Sequence, residues 1–106
     1  MNLIKVVLIQ FQASGNANDN LARMEGLVKR AYTSNPQMIV LPEMWSLFLP
    51  AKEGLKKYNE TNDRHEEWVE KMSTWAREGN CYLVGGSVFA PSSEGRVFNR
   101  SYSIGT

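Results

Sequence analysis

The sequence predicts an α/β fold with the element order β-α-β-α-β-β. One pattern in the sequence supports this prediction. Short runs of branched apolar residues alternate with longer segments whose apolar residues recur at helical spacing, as expected when strands and helices pack in layers. The length of 106 residues accommodates one domain, and neither an internal repeat nor a low-complexity linker divides it. We therefore expect residues 1–106 to lie in a single domain.

The first half of the chain predicts a strand, a helix and a second strand. Leu3 to Phe11 is a nearly continuous apolar run, which is typical of a strand buried on both sheet faces. From about Asn18 apolar residues recur at helical spacing, and Ser34-Asn35-Pro36 ends that helix. Met38 to Leu41 is a second branched run, which Pro42 closes.

The second half predicts a loop, a helix and two strands. Lys52 to Asp63 is polar with weak periodicity, so we expect a loop there. Asp63 and Glu66 match a capping box at the start of a helix that Gly79-Asn80 ends. Cys81 to Phe89 predicts the third strand and Arg96 to Ile104 the fourth, and a turn between them predicts a hairpin.

Composition argues against several classes of partner. Twelve Lys and Arg residues balance eleven Asp and Glu, and a net charge of +1 favours neither nucleic acid nor an anionic membrane. No apolar run reaches the roughly 20 residues that a membrane span needs. A single cysteine cannot form an internal disulfide, and with one histidine it makes a zinc site improbable. The first residues lack a cleavage signature, so we expect a cytoplasmic protein.

Glu43 is the most informative charged residue. It follows an apolar strand and Pro42, and Met44 and Trp45 come next. A carboxyl group among apolar neighbours loses hydration, and this raises its pKa towards the range that a general base needs. In an open α/β sheet, ligands bind beyond the carboxyl ends of the strands, where Glu43 and the loop Gln12 to Asn20 both fall. The same position also suits a glutamate that simply leaves the sheet into water.

Other residues that carry reactive groups favour structural interpretations. Cys81 begins an apolar strand with nothing basic close by, so we expect a core thiol and not a nucleophile. His65 falls in the first turn of the second helix, where a solvated histidine is the expectation. Gly85-Gly86-Ser87 is unusual inside a strand, because glycine weakens strands unless another backbone or a ligand approaches closely. Ala13 to Asn16 could wrap a phosphate but lacks the P-loop lysine.

Five short motifs follow one another along the chain. They are Val6-Val7-Leu8-Ile9-Gln10-Phe11-Gln12, Asn20-Leu21, Ile39-Val40-Leu41-Pro42-Glu43, Tyr82-Leu83-Val84-Gly85-Gly86-Ser87 and Phe98-Asn99-Arg100-Ser101. Each motif alone is weak, but their order and spacing resemble the nitrilase superfamily of carbon–nitrogen hydrolases. That family hydrolyses small amides, nitriles or N-carbamoyl compounds through a Glu-Lys-Cys triad, without a metal or cofactor.

The resemblance implies a role for Glu43 and a parent fold. Glu43 matches the family's general base, whereas Cys81 does not match its nucleophile. In the family the lysine and the cysteine come later than position 106, so these residues correspond to the N-terminal portion of the domain and should be inactive alone. The family fold is a four-layer α-β-β-α sandwich. A portion of it would expose a sheet face, which implies a homo-oligomer or a complex with the complementary C-terminal segment.

Two alternatives remain open at this point. The first is a non-catalytic α/β binding or assembly module that keeps the layer without the reaction. The second is an unrelated doubly wound binding domain that uses the loop after the first strand as its ligand site. A lysine and a cysteine following Thr106 in the natural chain would favour the hydrolase.

Overall fold

The computed structural model describes residues 3–49, 64–91 and 97–105. The elements are β1 (Val6–Leu8), α1 (Ala17–Tyr32), β2 (Met38–Val40), α2 (His65–Gly79), β3 (Tyr82–Val84), β4 (Val88–Pro91), β5 (Val97–Arg100) and β6 (Ser103–Ile104). The α/β class is confirmed. The expected loop Lys52 to Asp63, and with it the Asp63 half of the capping box, lies outside the described residues.

Four strands form the main sheet, in the order β1-β2-β3-β6. The first three run parallel, and β6 is antiparallel to β3. Val7, Ile39 and Leu83 lie side by side in the register. The carboxyl ends of β1, β2 and β3 therefore lie at the same edge of the sheet, as the sequence predicted for the two candidate loops.

The two helices begin and end close to their predicted positions. Asn16 caps α1, because its side chain accepts a hydrogen bond from the Asp19 N–H at 3.0 Å. Asn80 ends α2 in the left-handed conformation, with φ of 48°. The residue that precedes α2 is Arg64, whose side chain makes no capping bond to the helix.

The predicted third and fourth strands are each divided between two sheets. The run Cys81 to Phe89 holds β3 in the main sheet and β4 in a separate two-stranded sheet with β5. The run Arg96 to Ile104 holds β5 and then returns to the main sheet as β6. The predicted hairpin is real, since β4 and β5 pair antiparallel. The division occurs at Gly85-Gly86, where the positive φ of 60° at Gly86 turns the chain out of the sheet.

One face of the main sheet packs against both helices. The buried cluster there combines Ile39 and Leu83 with helix residues, and the largest fully buried side chains are three indoles. They are Trp45, Trp68 and Trp75. Each Å² of apolar surface removed from water stabilises the folded state by about 25 cal/mol. These three large side chains therefore make a substantial contribution to the free energy of unfolding.

The opposite sheet face is apolar and open. Leu8 is 71% exposed, Tyr82 61% and Val6 40%, and all three belong to the strand positions that alternate with the buried row. The expectation that β1 is buried on both faces is therefore wrong, because no described residue covers this face. Among the described helices, none has the length and apolarity that crossing a bilayer requires.

Candidate active site

The loops that follow β1 and β2 meet at the carboxyl edge of the sheet. The Phe48 N–H donates to the Ser14 carbonyl at 3.0 Å, which joins the second loop to the first. Phe11, Gln12 and Ala13 from the first loop and Glu43, Met44 and Phe48 from the second line a cavity of about 220 Å³. The sequence predicted both loops beyond the carboxyl ends of strands, and the structure adds their contact and the cavity between them.

Asn20 fixes the two loops to each other from inside. It is fully buried in the first turn of α1. Its side-chain oxygen accepts from the Ser14 N–H at 2.8 Å, and its amide donates to the Ser14 carbonyl at 2.8 Å and to the Ser46 carbonyl at 3.0 Å. The Ser14 N–H is thus bonded within the protein, which agrees with the structural role that the sequence favoured for Ala13 to Asn16 over phosphate binding.

The segment Gly85-Gly86-Ser87 packs directly against the turn that carries Glu43. A Cβ added at Gly86 would lie 1.9 Å from the Pro42 carbonyl oxygen, so only glycine permits this approach of two backbones. The Ser87 hydroxyl accepts from the Met44 N–H at 2.8 Å. The close backbone approach expected at these glycines is confirmed, and the partner is the Pro42-Glu43-Met44 turn.

Trp45 anchors the same turn on its other side. Its indole N–H donates to the Gly85 carbonyl at 3.0 Å, and its ring packs against Trp75 with centroids 5.6 Å apart. Met44 has a positive φ of 52°, a conformation that a non-glycine residue adopts only when its surroundings hold it there. Trp45 and Leu47 consequently enter the core, whereas the exposed Phe48 remains at the cavity.

Glu43 projects outward from this rigid turn. It is exposed, so the apolar surroundings expected for its carboxylate are not what the structure shows. The turn explains the difference, because it sends the apolar neighbours inward and the carboxylate outward. The Asn99 amide donates to Glu43 Oε1 at 3.1 Å. A carboxylate held at the mouth of a cavity can accept a proton from a group that approaches from the open side.

Cys81 lies in the core, as expected. It is 1% exposed, and burial raises the pKa of its thiol. A buried thiol with a raised pKa holds little thiolate and is a poor nucleophile. Cys81 is therefore structural.

His65 is half-buried, which differs from the solvated helix-end residue that the sequence suggested. Its Nε2 lies 2.6 Å from the Tyr102 hydroxyl, and the two rings are 5.7 Å apart. Burial and then Arg100 lower the pKa of His65, while Glu66 opposes them. The pair joins α2 to the segment between β5 and β6.

Two asparagines make hydrogen bonds at the candidate site, and the sequence assigned a role to neither. Asn20 and Asn99 each stood in a motif that carries the family resemblance, without a role of its own. The asparagines bond to partners 26 and 56 positions away, and such long-range pairs leave no periodic signal in one sequence.

Comparison with known sequences finds omega-amidases. No family model matches the chain. The human omega-amidase NIT2 is 29% identical over 100 residues, which cover 93% of this chain and 34% of the relative. Omega-amidase NIT2-A of Xenopus laevis is 32% identical over 101 residues, with the same shares. The chain spans about a third of the length of the curated relatives it matches.

Comparison with solved structures finds the same fold. The Saccharomyces cerevisiae protein Nit3, a member of branch 10 of the nitrilase superfamily, superposes with a TM-score of 0.79 at 26% identity, covering 96% of this chain and 40% of that chain. The Caenorhabditis elegans NitFhit protein also gives 0.79, at 20% identity over 96% of this chain and 25% of that chain. The α/β arrangement described above is thus shared with part of larger proteins.

Proposed function

We propose that this chain, which matches part of a nitrilase-superfamily domain in sequence and fold, supplies the general base of a carbon–nitrogen hydrolase. The single observation that carries the proposal is the placement of Glu43. Its carboxylate extends from a braced turn at the carboxyl edge of the sheet and lines a cavity that two loops form. The similarity to omega-amidases supports hydrolysis of a carbon–nitrogen bond as the reaction class.

The proposed reaction needs two groups besides Glu43. A cysteine thiol gives its proton to the Glu43 carboxylate, and the sulfur attacks the substrate's carbonyl carbon. A lysine ammonium stabilises the negative charge that develops on the oxygen. The C–N bond then breaks, ammonia leaves with the transferred proton, and water hydrolyses the thioester to release the acid. Cys81 is buried and is therefore not the proposed nucleophile. The family resemblance assigns the cysteine and the lysine to positions later than 106, so we propose that residues 1–106 are inactive without them.

We propose a small amide as the preferred substrate. The cavity, at about 220 Å³, is below the roughly 300–1,000 Å³ of pockets that hold drug-sized ligands. Phe11, Met44 and Phe48 give it apolar walls, and Gln12 supplies an amide that can bond to a polar substrate group. Nitriles and N-carbamoyl compounds are the other substrate classes that the reaction could serve. We place the enzyme in the cytoplasm, since the free thiol that the proposed reaction needs persists in a reducing compartment.

The complete natural protein provides the test. Succinamic acid, a small nitrile and an N-carbamoyl amino acid each release ammonia when hydrolysed, so one assay compares the three classes. We expect ammonia from succinamic acid and a transient mass increase on the protein that corresponds to the thioester. If only the nitrile or only the carbamoyl compound is hydrolysed, that class replaces the small amide as the proposed substrate. No ammonia from any of them would favour the non-catalytic binding or assembly module.

A further inference from the structure

We propose that Asn99 is a positioning residue for the Glu43 carboxylate, an inference that rests on the function proposed above. The Asn99 amide donates to Glu43 Oε1 at 3.1 Å, across 56 positions of sequence. An ionised carboxylate only accepts hydrogen bonds, so the amide nitrogen and not the amide oxygen must face it. The chemistry of the pair therefore sets the orientation of the Asn99 side chain.

The bond restricts a side chain that would otherwise rotate. Glu43 is exposed, and an exposed glutamate samples several rotamers about three side-chain bonds. A general base works only when its oxygen lies within hydrogen-bond reach of the proton it takes. Because Asn99 engages Oε1, it favours one rotamer and leaves the second oxygen to meet the thiol proton. A misplacement of about 1 Å is enough to reduce such catalysis strongly.

The backbone on both sides of the contact is fixed by the same strand pair. Asn99 lies in β5 opposite Phe89 of β4. Ser87, which directly precedes β4, accepts the Met44 N–H at 2.8 Å. Ser87 just before β4 and Asn99 in β5 thus each contact the Glu43 turn, the first at the backbone and the second at the carboxylate. This arrangement allows Asn99 to hold the carboxylate in a fixed direction relative to the cavity.

The test uses variants of the complete natural protein and ammonia release from succinamic acid. Asn99→Leu removes the donor at similar size, and Asn99→Asp keeps the shape while it replaces the donor with a like charge. We expect Asn99→Leu to lower kcat by about tenfold, with KM changed by less than about twofold. We expect Asn99→Asp to lower kcat further and Asn99→Gln, which keeps the amide, to recover part of the loss. Ser101→Ala, at an exposed neighbouring position, is the control and should match the unmodified protein.

A double-mutant cycle separates positioning from a general structural role. If Asn99 acts through Glu43, then Asn99→Leu causes no further loss in a Glu43→Gln background. An equal loss in both backgrounds, or an unchanged kcat in Asn99→Leu and Asn99→Asp, overturns the inference and leaves the proposed function standing. Full activity in Glu43→Gln overturns both, because no catalytic carboxylate would then need positioning. If Asn99→Leu does not fold, the near-isosteric Asn99→Asp provides the same comparison.

Discussion

The Ser87 hydroxyl accepts a hydrogen bond from the Met44 N–H at 2.8 Å and joins two turns that are 43 residues apart in the chain. Met44 has a positive φ, and Gly86, beside Ser87, has one too. The bond therefore links two segments that each contain an unusual backbone conformation. Their joint effect is to place Glu43 on the outside of a rigid turn, at the mouth of the cavity.

Substituting Gly86 tests this contact between turns. In Gly86→Ala the new methyl group would meet the Pro42 carbonyl oxygen at 1.9 Å in a strained conformation. We expect the free energy of unfolding of the complete protein to fall by about 2–4 kcal/mol. The urea midpoint measures this change. Gly26→Ala is the matched control, because a Cβ there meets nothing within 4 Å in the middle of α1, and it should stabilise by up to about 1 kcal/mol.

Substituting Asn20 tests the internal link between the loops. Asn20→Ala removes the partner of the Ser14 N–H and of the buried Ser46 carbonyl, whereas the Ser14 carbonyl keeps its bond from the Phe48 N–H. We expect a loss of about 2–4 kcal/mol in the free energy of unfolding, since unpaired buried polar groups carry their full desolvation cost. Glu70→Ala, at an exposed position in the middle of α2, should change it by less than about 0.5 kcal/mol. Equal effects in the urea unfolding of the two variants would contradict the account.

The His65–Tyr102 pair predicts a pH dependence of stability. Burial and Arg100 lower the pKa of His65 below its ordinary value of 6.5, so between the two values the unfolded chain binds more protons than the folded chain. The His65 contribution is therefore complete above pH 6.5 and is lost as pH falls towards the folded pKa. As pH is lowered below 6.5, the urea midpoint of His65→Gln should fall less steeply than that of the unmodified protein. Identical pH profiles in the two proteins would show that His65 does not titrate in this way.

The open sheet face predicts association of the chain of 106 residues. Leu8 and Tyr82 expose large apolar side chains on one surface, and burying them in a partner would release water. We expect sedimentation to show oligomers and a hydrophobic dye to bind. Leu8→Lys should weaken both signals, whereas Ala22→Lys on the exposed side of α1 should not. A monomer at high concentration that binds no dye would contradict this prediction.

The sequence could predict the element types but not every boundary. Helix α1 follows from its apolar spacing, and β2 follows from a short branched run that Pro42 closes. The division at Gly85-Gly86 was not predicted, because the apolar residues on both sides of Gly85-Gly86-Ser87 favoured one continuous strand from Cys81 to Phe89. The turn combines the positive φ of Gly86 with the close approach of the Pro42 backbone, a contact between residues far apart in the sequence.

The candidate site was predictable in its position and not in its contacts. Glu43 could be singled out because it follows a strand end and matches a family motif. Its exposure could not, since the reversal at Met44 that buries Trp45 depends on bonds to Gly85 and Ser87. Hydrogen bonds between residues 40 or more positions apart leave no local pattern in a single chain.

The most direct test of the central claim is turnover by Glu43→Gln in the complete natural protein. Glutamine keeps the size of the side chain but cannot accept the thiol proton, so we predict that kcat/KM for succinamic acid falls by at least about 100-fold with the unfolding midpoint unchanged. Cys81→Ala, which alters a buried core thiol, should retain activity in the same assay. Activity of Glu43→Gln within a few-fold of the unmodified protein would contradict the assignment of Glu43 as the general base.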